Sequence, residues 1–67
     1  MFKYKIDVLQ ALKENGYSTY RLTQDKLLGY ATINSILHGK VVGIIALETI
    51  CRLLDCQPGD IIEYVKE

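Results

Sequence analysis

Residues 18–40, STYRLTQDKLLGYATINSILHGK, decide the fold. Their spacing predicts two short helices around a tight turn: helix 2 over about Thr19–Lys26 and helix 3 over about Tyr30–His38. The link between them, Leu27-Leu28-Gly29, is too short for an antiparallel hairpin and suits a sharp crossing. On helix 3, Ile33, Ile36 and Leu37 share one face and are expected in the core. Tyr30, Ala31, Asn34, Ser35 and His38 are then left outward. Two helices that cross sharply cannot bury their own apolar sides, so the remaining segments read as the scaffold that does so.

Working outward, four helix starts share one local arrangement. An apolar residue precedes the cap and another follows five positions later, the spacing of a hydrophobic staple. Tyr17 and Leu22 flank Ser18, Leu28 and Ile33 flank Gly29, Val42 and Leu47 flank Gly43, and Cys56 and Ile61 flank Gln57. Helix 4 is therefore expected over about Ile44–Leu54, burying Ile44, Leu47, Ile50, Cys51 and Leu54. A fifth helix is expected from Pro58, at a position where its missing N–H costs nothing, to about Glu63. Upstream, Val8, Leu9 and Leu12 recur with helical spacing, and Asn15-Gly16 ends that first helix.

The chain ends leave two readings open. Met1–Lys5 and Ile62–Lys66 both alternate apolar and polar residues, the period of a short strand, and could pair as an antiparallel ribbon. The other reading is a frayed terminus and the last turn of a helix.

At 67 residues the chain reads as one domain, residues 1–67, near the lower size limit for folding without metals or disulfides. No run reaches the roughly 18 apolar residues that span a bilayer, and no leader pattern opens the chain, so a soluble cytoplasmic protein is expected. Eight basic and eight acidic side chains balance, which speaks against broad polyanion binding. Their distribution is uneven: residues 1–40 carry a net +3 and residues 41–67 a net −3. Cys51 and Cys56, five apart with a lone His38, match no strong metal motif, and read as small core residues rather than a redox or metal pair. No metal, cofactor or small-molecule substrate is expected. Neither paired carboxylates, nor a nucleophile–histidine set, nor a phosphate-cradling glycine loop points to an enzyme.

Ser18–Lys40, and more loosely residues 6–64, resemble the Cro/C1-type (XRE family) helix-turn-helix domain of phage and bacterial transcriptional regulators. Leu22 stands at that family's core leucine of helix 2, Leu28 at its apolar turn residue, and Gly29 at the cap of its recognition helix. Thr32-Ile33-Asn34-Ser35-Ile36 and Gly39-Lys40 match the stretch that forms and closes that helix. Leu47, Ile50, Leu53 and Leu54, then Asp60-Ile61-Ile62, match the segments downstream. Thr23 replaces the usual alanine and Thr19 the usual glutamine, while Leu27 occupies a common glycine position, which implies a distorted turn or a longer helix 2. The resemblance implies an all-α, compact five-helix bundle of the lambda-repressor-like type, with the terminal ribbon left open.

The resemblance also implies a function: a sequence-specific regulator, a repressor, that inserts helix 3 into the major groove of double-stranded DNA. Carried over by position, Tyr30, Ala31, Asn34 and Ser35 become candidates for base contacts. Thr19, Arg21, His38 and Lys40 become candidates for phosphate contacts, which set position without reading sequence. The residue types alone favour an ordinary solvated helix face, and it is the resemblance that points to DNA. Val41 and Ile45, apolar where exposure is expected, together with the chain ends, are candidates for a homodimer interface spanning two half-sites. The alternative is a protein-interaction module on the same scaffold, with little or no DNA binding and with Leu37, Val41 and Ile45 as its patch.

Overall fold

The computed structural model describes residues 1–66, so the last residue of the expected 1–67 domain lies outside the described residues. In chain order the elements are β1 (Phe2–Tyr4), α1 (Val8–Glu14), α2 (Thr19–Gln24), α3 (Tyr30–Leu37), α4 (Ile44–Leu54), a 3-10 turn (Pro58–Asp60) and β2 (Ile62–Tyr64). Each α-helix begins on the cap that the staple spacing predicts or, for α1, on Asp7. The Asp7 carboxylate accepts the Gln10 N–H and the Ser18 hydroxyl accepts the Arg21 N–H, both at 3.2 Å. Gly29 and Gly43 cap α3 and α4 through backbone conformation alone.

All four α-helices stop on a left-handed residue: Gly16 (φ +89°), Lys26 (φ +55°), Gly39 (φ +75°) and Asp55 (φ +52°). After α2 the pattern is a Schellman turn. Lys26 N–H donates to the Thr23 carbonyl at 3.2 Å and Leu27 N–H to the Leu22 carbonyl at 2.9 Å. Leu27 therefore needs no glycine. The positive φ falls one residue earlier, so the turn is undistorted and α2 ends sooner than expected.

Nine side chains form the core: Val8 and Leu12 of α1, Leu22 of α2, Leu28 of the turn, Ile33 and Ile36 of α3, Leu47 and Ile50 of α4, and Ile61. Tyr17, Val42 and Cys56, the outer members of three staples, pack against it half-buried. Among the described residues no polar side chain is buried, so the interior has no polar group to satisfy.

The five-helix, all-α expectation is corrected at the C-terminus. The fifth helix is one 3-10 turn, in which the Asp60 carboxylate accepts the Gln57 N–H at 3.0 Å. The chain then extends, and β2 pairs antiparallel with β1: Phe2 opposite Tyr64, Lys3 opposite Glu63, Tyr4 opposite Ile62. The reason is burial. Ile61 enters the core at the end of the turn, and extended backbone after it lets Ile62 pack half-buried beside Tyr4 while Glu63 faces away. No helix among the described residues is long and apolar enough to cross a membrane.

Two side chains also differ from expectation. Leu37 is 67 % exposed and Ile44 is 78 % exposed. Leu37 lies about 70° round α3 from the midline of Ile33 and Ile36, at the last turn, where the core thins out. Ile44 is the first residue of α4 and projects past the core's edge. Cys51 and Cys56 are half-buried and unbridged, lining a shallow groove with Ile44, Leu47 and Pro58. Burial first, then the neighbouring Cys51, Asp60 and Asp55, raise the Cys56 thiol above its usual range.

Candidate nucleic-acid interface

The outer side of α3 is built by the same periodicity that fills the core. With Ile33 and Ile36 turned in, Tyr30, Ala31, Asn34 and His38 are exposed and Ser35 is half-buried. Tyr30 is 80 % exposed at the helix start. The side chains of Asn34 and Ser35 make no hydrogen bond to the protein among the described residues, which leaves their donors and acceptors available. Asn34 can offer a paired donor and acceptor, Ala31 a methyl group, and Ser35 a hydroxyl.

The cations around this face are not equivalent. Lys40 follows Gly39 immediately past α3, is exposed, and pairs with no carboxylate among the described residues. Arg21 is committed to its own chain. It meets the Asp25 carboxylate at 3.4 Å, donates to the Gly16 carbonyl at 3.1 Å, and stacks its guanidinium 5.1 Å from the Tyr17 ring centre. A phosphate would have to compete with these partners, so geometry separates two residues that the sequence pairs. The His38 ring places Nδ1 2.8 Å from the Asn34 carbonyl. When Nδ1 donates there, the neutral ring presents only an acceptor at Nε2, and a phosphate contact needs the doubly protonated form.

Thr19, the first residue of α2, lies in a groove of about 300 Å³ shared with Asp7, Leu9, Gln10, Lys13 and Leu37. The start of α2, one flank of α1 and the end of α3 thus converge on one surface. Sequence reasoning missed Lys13, Gln10 and Leu37 here. The net positive charge of residues 1–40 was the available signal for Lys13, but nothing local placed α1 beside Thr19. Val41 is half-buried and Ile45 is 77 % exposed, adjacent to exposed Ile44. These lie on the loop and first turn of α4.

Residues 7–67 match the model of the Cro/C1-type HTH DNA-binding domain. The chain is 36% identical over 61 residues to an uncharacterized HTH-type transcriptional regulator, YozG, of Bacillus subtilis (strain 168), an alignment covering 88% of this chain and 70% of that protein. No solved structure matches. The matched span takes in all four helices, the turn at Lys26 and the exposed face of α3: this chain belongs to the family of Cro/C1-type helix-turn-helix DNA-binding domains.

Proposed function

We propose that this chain acts in the cytoplasm as a sequence-specific transcriptional repressor, a single regulatory unit that inserts α3 into the major groove of double-stranded DNA. The observation that carries the reading is the uncommitted outer face of α3, with Asn34 and Ala31 exposed and Lys40, unpaired among the described residues, just past the helix end. Asn34 pairs with an adenine edge and Ala31 packs on a thymine methyl, while Tyr30 and Ser35 reach adjacent bases. Lys40, Thr19 and His38 hold phosphates; Arg21 is a weaker candidate because its donors are already engaged. The relative named as an HTH-type transcriptional regulator supports the reading. No catalytic step is assigned.

The experiment is selection of bound duplexes from a random DNA pool, followed by two variants. Lys40→Ala should weaken binding to every sequence and flatten the salt dependence by about one unit. Asn34→Ala should relax one base preference, at about 1–3 kcal/mol. Equal losses on specific and random DNA for both variants would defeat the division of roles.

We further propose a two-fold homodimer through Val41 and Ile45, joined by Ile44, which sets two copies of α3 about one DNA turn apart. Sedimentation that finds a strict monomer at tens of micromolar, with and without DNA, removes the dimer. The second reading, a protein-interaction module, is favoured by a different observation: Leu37, Ile44 and Ile45 are 67 %, 78 % and 77 % exposed, on a chain of zero net charge. Steep salt-dependent binding to DNA separates the two, because a partner patch of this kind has no counterions to release.

A further inference from the structure

The connection from α3 to α4 ends in residues 40–43, a segment with no helix or strand of its own. Its first residue is nevertheless held at both ends of its backbone. Lys40 N–H donates to the Ser35 carbonyl at 2.9 Å, closing the left-handed turn at Gly39. The Tyr4 hydroxyl then donates to the Lys40 carbonyl at 2.8 Å and accepts the Val42 N–H at 3.2 Å. A carbonyl has no proton to give and an amide N–H no lone pair to offer, so the direction of both bonds is settled. One oxygen spans Val41 and fixes the peptide groups on either side of it.

Tyr4 is itself anchored. Its strand is paired to β2, Lys5 N–H donates to the Ile61 carbonyl at 2.7 Å, and the Lys5 ammonium donates to the Gly59 carbonyl at 3.0 Å. Burial raises the Tyr4 phenol above its ordinary range, partly offset by the Val42 bond, so the donated proton stays in place at neutral pH. The ribbon and the end of α3, distant in the chain, are tied through this hydroxyl.

Resting on the DNA-binding reading above, we propose that Tyr4 is a positioning residue for DNA recognition: its hydroxyl sets the Lys40–Val42 backbone so that the Lys40 ammonium meets a phosphate in the register the outer face of α3 requires. Tyr4 touches no base or phosphate. It acts through Lys40.

The test uses the full chain and the tightest duplex recovered from a random pool, titrated by fluorescence anisotropy across a salt series. Tyr4→Phe, which removes one oxygen, should weaken binding about five- to tenfold and lower the salt slope by about one unit, as Lys40→Ala does. The double variant should be no weaker than Lys40→Ala alone, because the two changes remove one contact. Hydrogen exchange at the Val42 amide should quicken in Tyr4→Phe. Should that variant fail to fold, a synthetic chain with an ester in place of the Val42 N–H must show the same loss of slope. A lowered melting temperature with slope and affinity intact overturns the proposal, as do losses that multiply in the double variant. Unchanged Val42 exchange overturns it too, because the clamp is the means by which Tyr4 acts on Lys40. A wild-type chain with no salt-dependent binding to any duplex overturns the DNA reading and the positioning role with it.

Discussion

Lys26 holds φ at +55° to end α2, where a side chain crowds its own backbone. The left-handed conformation costs a residue with a Cβ roughly 1–2 kcal/mol, of which glycine's greater freedom in the unfolded chain gives back part. Lys26→Gly should therefore stabilise the fold by about 0.5–1 kcal/mol, raising the melting temperature by about 3–6 °C in a thermal scan. Gly39→Ala should do the reverse by about 1 kcal/mol or more. The turn was legible as a turn, but its left-handed residue was not. Leu27 drew attention because it stands at a common glycine position, whereas lysine at 26 carries no conformational signature. Leu37 was misplaced for a related reason. Periodicity gives an angle about the helix, but burial also depends on how far along the helix the core extends. At Cys56 a chemical prediction follows from the raised thiol: with less thiolate at a given pH, alkylation at pH 8 should be slower than for an unfolded peptide of the same sequence. Mass spectrometry of the time course checks it.

Among the elements, the helix starts were the most readable feature, because a cap and its staple lie within six residues of one another. Ser18, Gly29, Gly43 and Gln57 all precede the first residue of a helical segment. Ser18→Ala should cost about 1 kcal/mol by removing the acceptor for the Arg21 N–H, and Ser18→Gly only a few tenths; chemical denaturation resolves the two. The end of the chain was harder. Ile62–Lys66 reads as the last turn of a helix or as a short strand, and the choice is made by Phe2–Tyr4 at the opposite terminus. No window of sequence contains both. The outward placement of Tyr30, Ala31, Asn34 and His38 on α3 was legible, while the engagement of Arg21 with Asp25, Gly16 and Tyr17 depends on side-chain geometry that spacing does not carry.

As a whole, the molecule draws its stability from a small core, nine buried apolar residues among those described. A domain of this size has only about 3–5 kcal/mol to spare, and Leu22→Ala, at a side chain with no exposure, should cost about 2–5 kcal/mol. That variant should show little cooperative unfolding at 37 °C by circular dichroism. The ribbon brings in a different quantity. Pairing Phe2 with Tyr64 encloses every helix in one loop, and long loops lose the most entropy on closure. Three residues per strand offer little enthalpy in return until the helices have brought the ends together. The ribbon should accordingly zip last during refolding, with the amides of Lys5 and Val65 gaining protection after those of α1 and α4 in a pulse-labelling experiment. A folding intermediate would then own a finished core and a loose Lys40, and the order of assembly would make readiness for a duplex the final property the polypeptide acquires.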